Sequence, residues 1–232
     1  SITPEAWSDH RISVDLKSGH LKVADQAIPF EVRGTTLING PLHAPENIQL
    51  QDLRLFLPRI AVAPRGSVML REDLTTQVDF DAHGSLAELN KRIADLPTFS
   101  GTVKASGSLS GPLNAPIAKA TIELQGLQID QMFLGDVKTN AEYNGKNIQI
   151  SDLVLNHPEV GSLRAHGQIG LSANLPTTIK AELDPIHVGP LFDMLSFQDF
   201  PVNASLHGKL DAKGTLNPFV LDYELNQDIE NL

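Results

Sequence analysis

The sequence predicts an all-β protein: an elongated, curved antiparallel sheet with an apolar interior and one or two short helices. Three observations predict it. Apolar and polar residues alternate in short runs along most of the chain. Glycines and prolines, 17 and 15 of 232 residues, sit mostly between those runs, where turns need them. A long stretch also occurs twice. NIQLQDLRL at 47–55 returns as NIQISDLVL at 147–155, with six of nine residues identical. The following segments match as well: GSVMLREDLTTQVDF from Gly66 and GQIGLSANLPTTIKA from Gly167. SGSL at 106–109 matches HGKL at 207–210, and NAP at 114–116 answers Asn217-Pro218. Such a repeat fixes the architecture before any local reading. It predicts one continuous segment over 1–232, with repeats at roughly 47–146 and 147–232.

Taken in order, residues 11–33 give short strands in RISVDL, HLKV and IPFEV. GTTLINGPLHAPEN at 34–47 reads as turn chemistry. In 47–57 the apolar parity flips across Gln51-Asp52, and it flips at the same place in the second copy. One inserted residue, a β-bulge, restores the common face. Two strands follow in 60–82. Residues 85–96, SLAELNKRIADL, have near-helical spacing, with Ser85 and Glu88 as a capping box. Residues 189–200 occupy the matching place in the second copy. Both segments are expected to plug or narrow the interior. Further strands are expected at 101–110, 117–124, 127–134, 136–143, 147–155, 161–171, 177–186, 202–213 and 218–225.

About fifteen strands at ~4.8 Å each would make a single sheet ~70 Å wide. One face of every strand is aliphatic, and aromatic content is only 5%. A bare apolar face of that size exceeds the few hundred Å² a soluble monomer tolerates. The sheet must curl on itself, stack as a sandwich, or hold an apolar ligand. Repeats in register share a continuous interior, which favours curling or a ligand. The period-two apolar side of the first copy carries Ile48, Leu50, Val68, Leu70, Val78 and Phe80, followed by Val103 and Leu109. The second copy supplies Ile148, Ile150, Ile169, Leu171, Ile179, Leu183 and Leu206.

Charge and composition limit the partners. Eighteen basic and 28 acidic residues give a net charge of −10. Nucleic acid and anionic membrane surfaces need clustered Lys and Arg instead. There is no cysteine for disulfide or thiolate chemistry. No apolar run approaches the roughly 18 residues of a membrane span. The chain begins at Ser1 without a signal peptide, and we expect a mature or excised piece of a longer protein. Strands at the ends of such a piece, near 10–16 and 218–225, are expected to seek partners.

The string SGTVKASGSLSGPLNAPIAKATIELQGLQIDQMFLGDVKTNAEYNGKNIQISDLVL at 100–155 resembles the periplasmic repeats of the TamB/AsmA-like family. The shared series is a strand, S-G-x-L, a turn with N-x-P, a strand ending G-L, then L-G-D, N-G and L-x-L-x-x-L. The match runs through 85–219 and more loosely through 10–70. The irregular start (1–45) and the charged loop Arg71-Glu72-Asp73 depart from it. The resemblance implies a β-taco, or repeating β-groove, in a parent anchored in the inner membrane of a Gram-negative cell. It implies that the groove carries phospholipid across the periplasm, in support of outer-membrane biogenesis. It also implies an Omp85-type outer-membrane partner reached through other parts of the parent. The chain itself is expected to be monomeric, with contacts at its edge strands.

Catalysis is not expected. The eight histidines are scattered, with no HxH, HxxxH or HExxH among them, and metal ligands need close spacing. Asp79 and Asp81 share a strand face, as on the polar side of any strand. Phosphate-binding and nucleophile motifs are absent. Trp7 reads as a packing residue. No cofactor or metal is expected. The alternatives to lipid carriage are a structural or chaperone-like β-array assisting outer-membrane protein assembly, and an adhesive repeat without lipid.

Overall fold

The computed structural model describes residues 10–23, 26–41, 44–57, 60–70, 74–87, 98–130, 132–194 and 204–230. They form one 14-stranded sheet and one short helix. The strands are β1 (His10–Val23), β2 (Gln26–Asn39), β3 (Asn47–Leu50), β4 (Arg54–Leu57), β5 (Ile60–Met69), β6 (Thr75–Ser85) and β7 (Phe99–Pro112). Then come β8 (Ile117–Ile129), β9 (Met132–Tyr143), β10 (Asn147–His157), β11 (Gly161–Gly170), β12 (Pro176–His187), helix α1 (Val188–Met194), β13 (Ser205–Leu216) and β14 (Phe219–Glu230). Strand order follows chain order, except that β4 stands beside β3, pairing with β2 and β5. Most consecutive strands are joined by turns of a few residues and run antiparallel; the longer link from β12 to β13, which carries α1, also joins antiparallel neighbours.

The chain forms two compact units. One is Ser1–Gly84 with Ala105–Ala118, and the other is Ser85–Lys104 with Lys119–Leu232. In the first, the apolar face follows the register. Ile48 opposes Val68, which opposes Thr76; Leu50 opposes Gly66, which opposes Val78. In the second, Ile148 opposes Ile169, then Thr177, and Ile150 opposes Gly167, then Ile179. The two sequence copies therefore build the same three-strand motif. Glycine is needed at its centre. A Cβ on Gly66 would collide with the Gln77 carbonyl, and one on Gly167 with the Thr178 carbonyl.

The expected bulge is present in both copies, in two forms. In the second, Ser151 and Asp152 of β10 together face His166, between the pairs Ile150–Gly167 and Leu153–Ala165. Asp152 takes φ 52° to allow it. Leu153 and Leu155 thereby return to the face of Ile148 and Ile150. In the first copy, 51–53 leave the ladder and the strand divides into β3 and β4. Another register shift lies at Asp184-Pro185 in β12, where a proline is tolerated because the ladder is already broken.

Several expectations are corrected. Gly34–Asn39 belongs to β2 and is not turn: Thr36, Leu37 and Ile38 pair with β3 on one side and β1 on the other. RISVDL and HLKV are one strand, β1, with a register shift between Leu16 and Gly19. The three strands expected over 117–143 are two. Gly126 (φ 60°) and Gly135 (φ 97°) sit inside β8 and β9, and the turn lies at Asp130. A lone glycine inside a strand pattern marks a bulge as readily as a turn. The expected helix at 189–200 is seen as α1 at Val188–Met194, with Pro190 in its first turn, where no N–H is required. Of 85–96, Ser85 Oγ accepts from Ala87 N at 3.4 Å; Glu88 and the rest of that segment lie outside the described residues. Trp7 and the loop Arg71-Glu72-Asp73 also lie outside them.

Candidate functional site: the apolar face

Each unit carries one apolar face, produced by period-two alternation plus the bulges that keep it in phase. In the first unit, Ile48, Leu50, Val68, Val78 and Phe80 share a face with Ile12, Val14 and Leu16 of β1 and with Ile38 of β2. Leu109 lies in β7 of the same unit, and its side chain is half-buried. Leu70 lies just past β5, where its N–H donates to Glu46 O at 2.8 Å.

In the second unit, Ile148, Ile150, Ile169, Ile179, Leu183 and Leu206 share one face through β10 to β13. Leu171 lies beyond β11; its N–H donates to Lys146 O at 2.8 Å, and the residue is 43% exposed. Val103 packs against a small core of Leu86, Leu127 and Val137. Sequence reasoning left out Leu153, Leu155, Leu163, Ala181, Ile186, Leu210 and Ala212, which complete this face. The parity flip at Asp152 was the signal for the first two. The face continues onto β14 as Leu221, Tyr223, Leu225 and Ile229.

Burial distinguishes this face from an ordinary core. Among the described residues only nine hydrophobic side chains are buried, and most of the face is half-buried. The chain leaves 15395 Å² accessible. A compact globular chain of 25.2 kDa exposes about 10,300 Å². The excess arises because the sheet has little to pack against: α1 is the one helix of seven residues or more among the described residues.

The opposite face is polar and laced with ion pairs. Lys138 Nζ lies 2.8 Å from Glu123, Lys180 Nζ 3.1 Å from Asp211, Lys119 Nζ 3.2 Å from Glu142 and Lys209 Nζ 3.3 Å from Glu182. All are solvent-exposed, so water and salt screen each of them. The hydrogen bond from Lys138, then its charge, hold the Glu123 carboxyl below the usual glutamate range; Lys104 adds to this and slight desolvation opposes it. That pair is intact above the ordinary glutamate range and is lost as pH falls through the lowered value. Asp79 and Asp81 lie exposed on this polar side, Asp79 opposite Arg65. His157 Nδ1 accepts from the N–H groups of Glu159 and Val160 at 3.1 and 3.0 Å, capping a turn, and His207 lies 3.4 Å from Asp184.

A hollow of about 860 Å³ lies beside the bulge at Ser151-Asp152. Arg164, His166, Lys180 and Glu182 are among its walls, so it suits polar contacts and water more than hydrocarbon. The apolar face offers the reverse: non-directional contact along many strands. Each methylene it takes from water is worth about 0.8 kcal/mol. No family model, no curated protein and no solved structure matches this chain.

Proposed function

We propose that this chain is a lipid-carrying segment of the TamB/AsmA-like kind, holding phospholipid acyl chains on its apolar face. The observation that carries the reading is the accessible area: about half as much again as a globular protein of this mass, on a sheet whose one face is aliphatic in both repeats. Acyl chains are the natural cover for such a face, because they match a long strip of Leu, Ile and Val without requiring a fixed shape. Headgroups ride at the wet margin. The acidic balance of the chain gives few cationic sites to arrest a phosphate, so lipid slides instead of staying bound. No bond is made or broken, and the protein acts without catalysis.

On this reading the chain works in the periplasm, within a parent anchored to the inner membrane. It moves phospholipid toward the outer membrane and supports outer-membrane biogenesis. An Omp85-type partner engages other parts of that parent. The test resolves the two faces. A photo-crosslinking residue is placed at Ile179 or Leu183, on the apolar face, and at Lys180 or Glu182, on the polar one. Phospholipid adducts are expected at the first pair and not at the second. Ile179→Arg should abolish phospholipid transfer between vesicles while shifting the thermal midpoint by only a few degrees, since a groove wall lets a charge reach water. Equal labelling on both faces, or a collapsed midpoint as from a charge buried in a dry core, refutes the proposal.

A further inference from the structure

We infer that Asn144 is a site of spontaneous covalent modification, at which the β9–β10 turn converts asparagine to aspartate and isoaspartate without an enzyme. The sequence has two Asn-Gly pairs, Asn39-Gly40 and Asn144-Gly145. Each begins the connection into one copy of the repeated strand, which starts at Asn47 and at Asn147. Glycine after asparagine leaves the next backbone nitrogen unshielded by a side chain. The fold treats the two pairs differently. Asn144, Gly145 and Lys146 are all exposed, and a Cβ on Gly145 would meet nothing within 4 Å. Asn144 Oδ1 accepts from Lys146 N at 3.1 Å and from Asn147 N at 2.9 Å. Gly145 N makes no hydrogen bond among the described residues.

That arrangement favours one reaction. Gly145 N, once it has lost its proton to hydroxide, attacks Asn144 Cγ. Negative charge develops on Oδ1, and two backbone N–H groups already point at that oxygen. Donors fixed where charge develops lower the barrier. The Cγ–Nδ2 bond then breaks, Nδ2 takes up a proton and leaves as ammonia, and a succinimide ring joins residues 144 and 145. Water opens the ring at either carbonyl. One opening gives aspartate; the other gives isoaspartate, whose backbone runs through the side-chain methylene. Asparagine plus water becomes aspartate or isoaspartate plus ammonia, with no oxidant or cofactor. Asn39 is placed against this reaction. It is held in the ladder opposite Asn47, and its Nδ2 donates to Asn47 Oδ1 at 2.8 Å. Its Oδ1 is buried without a hydrogen-bond partner, so charge growing there is unstabilised. The aspartate product at 144 can accept from the same two N–H groups. The isoaspartate product adds one carbon to the backbone beside the Tyr143–Ile148 pair, the first of the β9–β10 ladder. The inference rests on the turn alone and holds whatever the apolar face carries.

The test is peptide mapping by mass spectrometry on the full 232-residue chain, incubated at one pH and temperature either folded or unfolded in guanidinium. Conversion is read as the mass difference between Asn and Asp, and isoaspartate is told from aspartate by its retention. Asn144 is expected to convert at least as fast in the folded chain as in the unfolded one. Asn39 should convert roughly tenfold or more slowly when folded, the effect of leaving a developing charge buried and unpaired. Asn144→Gln assigns the position, because its ring would need one more atom: conversion should vanish from the peptide that holds residue 144. Protection of Asn144 by folding, equal folded-state rates at Asn39 and Asn144, or conversion that persists in Asn144→Gln and so belongs to Asn147 would overturn the inference.

Discussion

Thr177 is 2% exposed, on a face that is otherwise aliphatic. Its methyl can pack among the apolar neighbours because its hydroxyl is satisfied locally, donating to Leu175 O at 2.9 Å. Thr76 holds the equivalent place in the first copy and donates to Gly111 O at 3.2 Å. Thr177→Val keeps the shape and removes the donor. It should cost about 1 kcal/mol, the net worth of one such bond. Thr76→Val should cost less, since its bond is longer. A urea melt checks both: the midpoint should fall with the slope unchanged. Both threonines are legible in the aligned repeats, as the second Thr of LTTQV and the first of LPTTI. Their burial is not legible, because threonine fits either side of a half-buried strand.

At the scale of the element, the bulge is what lets one strand serve one face. Were β10 regular throughout, with the same residues and no bulge, Ile148 and Ile150 would point opposite to Leu153 and Leu155. Deleting Asp152 should therefore leave β10 paired in the same register as a regular strand, with Ser151 alone facing His166, and cost only about 1 kcal/mol or less. Asp152→Val should be worse. A β-branched residue at φ 52° costs about 1–2 kcal/mol, whereas Asp152→Gly should be neutral or slightly stabilising. Thermal midpoints of the three variants order the effects. The parity flip foretold this bulge because both copies showed it at the same place. Gly126 and Gly135 misled for a physical reason: a turn and a bulge both call for glycine at positive φ, and only pairing tells them apart. Gly126 N donates to Asp136 Oδ1 at 2.8 Å, holding β8 against β9 where a turn was expected.

For the whole molecule, exposed area governs the thermodynamics of unfolding. An unfolded chain of this mass exposes about 36,500 Å², so folding removes ~21,000 Å², against ~26,000 Å² for a compact globule. The heat capacity of unfolding scales with that difference. It should come out near four-fifths of the usual value, about 10–12 cal/mol/K per residue. Differential scanning calorimetry on the lipid-free chain measures it. A value at or above the globular norm would mean that the apolar face is covered in solution.

The sequence by itself determined the all-β class, the repeat, the apolar side of its strands and the bulge at 151–152. These follow from period-two alternation and from a parity flip shared by two copies, both local properties of the chain. Tertiary structure alone decided that β8 and β9 run through their glycines, that β2 extends to Asn39, and that the first copy breaks into β3 and β4 where the second stays whole. Each of these depends on which carbonyl meets which N–H across the ladder, a relation between distant residues that no local pattern contains. It also decided how little of the apolar face is buried. Alternation tells which side chains share a face, but what covers that face depends on the layers packed against it.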